Sequence, residues 1–245
     1  MLSRGDLTTY ARPNVAVDLA LLTVLPSQEG AGLAAVSVLI QDRTAAPSGR
    51  CLPGRFLRER QTVREGVADL LRLDLDLAAS SVTPKLVRIF DDPERDERAW
   101  TISLAHAVAR PSDTVVRARG EFVPIDRDGS LVSGEALLFD HDTIVRESAA
   151  ALRDRYELRP DPDRLLGDTF TLAELRSLHE AVLGEPLLRD TFNRRMTEYL
   201  RPTSETRTAG GRPATVYERV GDHSSIETVR RRLQLPRRRP ERPGR

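Results

Sequence analysis

Thr191, Asn193, Arg194 and Arg195 fall within one short stretch, and each is a residue type that hydrogen-bonds nucleic acid. A guanidinium forks onto guanine or phosphate, an amide reads adenine, and a threonine hydroxyl reaches a base edge or a phosphate. Their spacing suits a helix. Leu188, Phe192, Met196 and Leu200 recur every four residues. A helix that packs the first three of these inward turns Asp190, Thr191, Arg194, Arg195 and Glu198 outward. Asp190 and Glu198 disfavour phosphates nearby, which puts the contacts at the middle of the helix. Farther along, Arg207 and Arg212 flank the pair Gly210-Gly211, whose backbone can turn tightly and approach a partner closely.

The charge distribution points the same way. Residues 1–200 carry 26 Lys+Arg against 32 Asp+Glu, whereas residues 201–245 carry 12 Arg against 5 acids. The net charge of +1 hides this asymmetry, and a basic end on an acidic chain implies a polyanionic partner there. Cys51 is the sole cysteine, which excludes an intrachain disulfide and a cysteine-based zinc site. The start, Met1 to Asp6, is polar and unlike a signal peptide. The most apolar stretch, Val15–Leu25, is too short to span a bilayer and contains Asp18. A soluble, cytoplasmic and nucleoid-associated protein with no membrane partner is expected.

Around these residues the sequence predicts strands at Val15–Leu25 and Leu33–Ile40, a loop over Thr44–Gly54, and a helix over Thr62–Arg72. Thr62 and Glu65 have the spacing of a capping box. Further strands are predicted at Lys85–Phe90, Trp100–Ala109 and Arg117–Pro124. The second half reads as helices over Thr143–Tyr156, Thr171–Leu183 and Pro186–Leu200, then a hairpin whose second strand holds Thr215-Val216-Tyr217. Thr171 and Glu174 make another capping box, and Gly184 supplies a C-terminal stop. Three helices followed by a glycine-tipped hairpin is the plan of a winged helix-turn-helix. His106 and His179 read as packing or surface residues, His141 as structural, and Trp100 as core or interface.

Two sets of motifs carry a resemblance. Leu52-Pro53-Gly54-Arg55-Phe56-Leu57-Arg58, followed by a helix, resembles the Nudix box and its lead-in. That pattern converges several carboxylates on Mg²⁺. Here Gln61 stands at the upstream Glu and Asp69 at the Arg. Leu70, Leu73 and Asp74 take the three helix Glu positions. Only Asp74 keeps an acid. Arg12-Pro13 with Val15-Ala16-Val17-Asp18, and the loop Asp92 to Arg98 with the strand after it, resemble ADP-ribose-type Nudix domains.

The second set is Leu138-Phe139-Asp140-His141, Phe170 to Leu175, His179 to Gly184, Asp190 to Met196, and Gly211 to Tyr217. With these, the chain resembles the Nudix-related transcriptional regulators, repressors of NAD synthesis or salvage genes that answer to NAD metabolites.

That resemblance implies an α+β chain: a Nudix-like α/β/α sandwich followed by a winged helix-turn-helix. Residues 1–141 would be the sensing domain, 142–165 a linker helix, 166–222 the DNA-binding domain, and 223–245 a basic flexible tail. Guanidinium forks suit phosphate oxygens, so Arg55, Arg58 and Arg98, with Asp96, are the expected ligand-binding residues for ADP-ribose or a related NAD metabolite. Thr191, Asn193, Arg194, Arg195, Arg207 and Arg212 are those for double-stranded operator DNA, bound by a homodimer. No catalytic residue, metal or cofactor is expected. Two rival readings are an active pyrophosphohydrolase with ligands such as Glu65, Asp69 and Asp74, and a winged helix that docks a protein.

Overall fold

A computed structural model describes residues 10–26, 34–77, 83–208 and 213–220. The first apolar run forms strand β1 (Asn14–Leu25), buried from Ala16 through Thr23. A strand apolar on both faces needs neighbours at both edges and cover on both sides. β6 (Thr101–Ala109) pairs with it in parallel along Asn14–Leu22. Its other edge is divided: β4 (Gly54–Phe56) pairs antiparallel with Ala16–Asp18, and β2 (Ala35–Arg43) with Leu22–Leu25. β2 also carries β3 (Gly49–Cys51) and β7 (Glu121–Pro124), while β5 (Lys85–Phe90) lies beyond β6.

Alternate side chains of β1 serve different layers. Val17, Leu19 and Leu21 pack against Val67, Leu70 and Leu75, from α1 (Val63–Asp69) and the π-helical turn Leu70–Asp74 with the residue after it. The predicted capping box is present, with Thr62 and Glu65 each accepting from the other's backbone N–H. The single-turn α2 (Ser112–Val115) adds Val115 to this layer.

Ala20 and Leu22 face the opposite layer, with Ile144, Val145, Ala149 and Leu152 of α3 (His141–Tyr156). The helix read from sequence as a linker is therefore the second cover of the sandwich. A 16-residue helix is only marginally stable alone; its apolar stripe holds because the sheet buries it.

The remaining elements are β8 (Thr169–Thr171), α4 (Leu172–Leu183), α5 (Arg189–Thr197), β9 (Leu200–Arg207) and β10 (Ala214–Arg219). Their sheet runs β8-β10-β9, all antiparallel. Thr171 and Glu174 form the predicted capping box, and Gly184 closes α4 in the left-handed conformation at φ 69°. α4 belongs to two cores. Leu178 and Val182 pack with Tyr156 and Leu152 in the sandwich, whereas Leu175 packs with Phe170, Phe192, Met196 and Leu200. One helix thus fixes the second unit to the first.

Leu188 departs from expectation. It is 80% exposed instead of packed inward. It sits at the N-cap of α5 in extended conformation (ψ 115°), so the four-residue periodicity begins only at Phe192. Trp100, expected in a core or interface, is 45% exposed. No helix among the described residues is long and apolar enough to cross a membrane.

Candidate functional site

Two regions gather the candidate residues. The first is a cleft of about 400 Å³ where the start of β1, strand β4, the β2–β3 connection and the loop 92–98 meet. Arg55, Asp96 and Arg98, three of the four residues expected from the sequence to bind a ligand, line it. Asp96 is 5% exposed and holds Arg98 by both oxygens, Nε to Oδ1 at 2.8 Å and Nη2 to Oδ2 at 2.7 Å. Those bonds keep the Asp96 carboxyl below its usual range. The Arg98 guanidinium lies 5.0 Å from the Phe139 ring centre and 5.8 Å from that of Phe56, a cation–π arrangement on both sides. Phe139 adopts φ 62°, which a bulky residue rarely does.

Arg58 lies elsewhere. β4 ends at Phe56, and the chain then turns, with the Gln61 N–H bonded to the Arg58 carbonyl at 3.0 Å. That turn leaves Arg58 exposed and outside the cleft lining.

Residues that sequence reasoning missed form the floor. Asp18 is 6% exposed and accepts from Ser103 Oγ at 2.6 Å and Arg95 Nη2 at 3.3 Å. His141 Nε2 stands 3.5 Å away. The Leu52 N–H donates to His141 Nδ1 at 2.9 Å, which places the ring proton on Nε2, toward Asp18. Burial opposes ionisation of Asp18, but His141, Ser103 and Arg95 outweigh it and hold the pKa at about 2. Arg95 also clamps Asp140 through Nε and Nη2, at 2.8 and 2.5 Å. Gly54 makes room for this group: a Cβ there would stand 2.2 Å from Asp18 Oδ1. These partners lie about forty or more residues apart in sequence, and no local pattern signals such pairings.

The fold family implies Mg²⁺, and the box residues do not fit it. Leu70 is buried in the core and Leu73 is 41% exposed; neither can ligate. Gln61 Nε2 donates to Asp69 Oδ2 at 2.9 Å, and Arg72 holds the other Asp69 oxygen at 3.2 Å. Glu65 is committed to its capping box, and Asp74 is paired with Arg55 at 3.2 Å. Among the described residues no group of three or more acids, His or Cys converges on a point.

The second region is the α5 face. Thr191 and Arg194 are exposed, and Asn193 and Arg195 are half-buried. Arg207 is paired with both oxygens of Glu174, at 2.8 and 2.7 Å. Arg212 and the tail 223–245 lie outside the described residues.

Behind α5, His179 is fully buried between Tyr156 and Phe192, at ring distances of 5.0 and 5.1 Å. Burial lowers its pKa from 6.5 to about 4. Between those values the unfolded chain binds a proton that the folded chain refuses, so stability falls as pH drops through that window. The full loss is about 3 kcal/mol. Thermal melts from neutral pH down to the acid end of that window should show the decline, and the variant His179→Gln should lack it. An equal decline in that variant rules this origin out.

Four matches to known proteins bear on the fold and the site. Residues 163–218 match the family model of the NrtR DNA-binding winged helix domain. The chain is similar to the ADPR responsive transcriptional repressor NtrR of Acinetobacter baylyi, at 25% identity over 225 residues, covering 88% of this chain and 86% of that one. Among solved structures, NrtR of Shewanella oneidensis complexed with a 27mer DNA matches with a TM-score of 0.65 and 22% identity, over 88% of this chain and 95% of that one. A MutT/nudix family protein from Enterococcus faecalis matches with a TM-score of 0.68 and 20% identity, over 88% and 89%. The fold is accordingly a Nudix sandwich joined to a winged helix.

Proposed function

We propose that this Nudix-related transcriptional regulator represses genes of NAD biosynthesis or salvage by binding operator DNA, and that ADP-ribose or a neighbouring NAD metabolite in the cleft controls it. The observation that carries the reading is the winged helix matched at residues 163–218, with the polar face of α5 turned outward and α4 rooted in the sandwich core. The relative from Acinetobacter baylyi, named for its response to ADPR, supports the choice of ligand.

In this reading residues 1–141, closed by α3, sense the ligand, 166–222 bind DNA and 223–245 form a basic tail. Arg55, Asp96 and Arg98 hold the ligand, and Thr191, Asn193, Arg194 and Arg195 hold the operator, with Arg207 and Arg212 on the wing. A homodimer doubles the half-site contacts. The ligand lowers operator affinity only by as much as it prefers the arrangement that does not bind DNA. The Nudix domain binds without hydrolysing, because the acids of its box are engaged with Arg55, Gln61, Arg72 and Thr62.

The test is a gel shift on DNA upstream of the host's NAD-synthesis genes, with and without ADP-ribose. Specific retention released by the ligand is expected, and it should weaken steeply with salt. Retention that ignores the ligand overturns the sensor ligand, and absence of specific retention overturns the repressor. Incubation with ADP-ribose and Mg²⁺ should yield no AMP.

A further inference from the structure

The misfit of the box to a divalent ion has a positive counterpart. Asp74 is the one acid the box retains, and its counter-ion is a side chain: Arg55 Nη1 stands 3.2 Å from Asp74 Oδ2. Arg55 comes from β4, one residue after Gly54, and lines the cleft. Its side chain is 14% exposed. Nε and Nη1 are both buried, and neither has an acceptor in hydrogen-bonding alignment; the contact with Asp74 is close but misangled. A buried donor without an acceptor costs about 1–3 kcal/mol, and a guanidinium is an extreme case because it cannot shed its charge. Arg55 thus has hydrogen-bonding capacity that Asp74 leaves unused, on a side chain that lines the cleft.

A second cation stands in the same cleft. Arg43 lines it, with its Nε and Nη2 held by the carbonyls of Pro47 at 3.0 Å and Ala46 at 3.3 Å. Those bonds fix the guanidinium without neutralising it, and no carboxylate within ion-pair distance of Arg43 is present among the described residues. By contrast, Arg95 and Arg98 are each held by an acid through two aligned hydrogen bonds. Arg43 therefore carries positive charge that no acid offsets, and Arg55 shares its charge with Asp74 through a contact that makes no aligned hydrogen bond.

We propose that Arg55, assisted by Arg43, takes the place of a divalent cation, so that the cleft binds the diphosphate of its ligand without metal. Asp74 orients Arg55 and competes with the diphosphate for it. The proposal rests on the cleft being a ligand site, as in the function proposed above, and it extends to any compound bearing a diphosphate.

The test is titration calorimetry with ADP-ribose and, separately, inorganic pyrophosphate, each in EDTA and in excess Mg²⁺. The native chain should bind equally in both buffers. Arg55→Met should weaken both probes in EDTA by about tenfold or more, the loss of one charge-assisted contact. Arg43→Met, at a half-exposed position, should weaken both severalfold in a chain that melts normally. Asp74→Asn should bind as tightly as the native chain or tighter, because the competitor for Arg55 is gone.

Binding that requires Mg²⁺, binding lost in Asp74→Asn, or native affinity in Arg43→Met and in an Arg55→Met chain that melts normally overturns the proposal. Pyrophosphate bound in EDTA in an Arg55-dependent way, with ADP-ribose ignored, upholds it and removes the sensor ligand instead. Neither probe binding in either buffer overturns it.

Discussion

Replacing Asp161 with alanine is expected to lower the unfolding free energy by about 3–5 kcal/mol, the range for removing one partner of a buried ion pair. The side chain is fully buried and its bonds tie the end of α3 and the turn that follows to β10. Its Oδ1 accepts from Tyr156 Oη at 2.7 Å, at the end of α3, and from the Leu165 N–H at 2.7 Å. Its Oδ2 accepts from the Leu166 N–H at 2.8 Å and from Arg219 Nη2 on β10. The Asp161 backbone N–H donates to His179 Nε2 on α4 at 3.3 Å.

Alanine would leave the Arg219 charge, two amides and a phenol without their acceptor. Arg219 would keep only the carbonyls of Asp161 and Gly167 and its place 4.6 Å over the Phe170 ring. Thermal unfolding reads the effect as a drop of roughly 10 °C for a chain of this size. Asp161→Asn, which preserves shape and some of the hydrogen bonds, should lose less. A change below about 1 kcal/mol in Asp161→Ala would mean that the network relaxes around water and is not the joint between α3 and the wing.

This joint also shows what the sequence could and could not reveal. Both capping boxes, Thr62 with Glu65 and Thr171 with Glu174, were legible because each is a contact between residues three apart. β1 was legible because burial on both faces demands an unbroken apolar run. The α5 face was legible from Phe192 and Met196, and the error at Leu188 arose because periodicity does not mark where a helix begins.

By contrast, Asp161 looked like part of a breaker, Pro160-Asp161-Pro162, and nothing local joins it to Arg219, 58 positions away. The cleft divides in the same way. Arg55 and Arg98 stood out through their neighbours in recognisable segments. Asp18, Arg95 and His141 lay in such segments too, but their pairing did not stand out, since it comes from the strand order that brings the start of β1 beside β6, the 92–98 loop and the start of α3. The exposure of Arg58 follows from one turn after β4, a detail of backbone geometry and not of residue type. α3 was located correctly, but only the packed sheet distinguishes a layer from a connector.

The double substitution Arg194→Ala with Arg195→Ala should abolish specific operator retention at moderate salt while leaving the fold intact. The two residues differ in setting. Arg194 is exposed, and Arg195 is half-buried beside Thr191 and the buried His179. Neither has a carboxylate within ion-pair distance among the described residues, so each can approach DNA without first breaking a bond. Arg207 has to leave Glu174, which accepts from it through both oxygens. That release offsets part of any phosphate contact it makes.

A base-edge contact contributes about 1–3 kcal/mol, and a phosphate contact lowers the salt slope by about one unit. The pair together should weaken binding by on the order of a hundredfold or more. Arg207→Ala alone should cost less than either arginine of α5. Fluorescence anisotropy on operator and on scrambled DNA, over a range of salt, separates the contributions. A loss equal on both DNAs assigns the arginines to phosphates, and a loss confined to the operator assigns them to base edges. Unchanged affinity in the double variant would remove α5 as the reading helix and shift the winged helix toward a protein partner. The fold alone does not choose between those two uses; the free cations on α5 are what favour DNA.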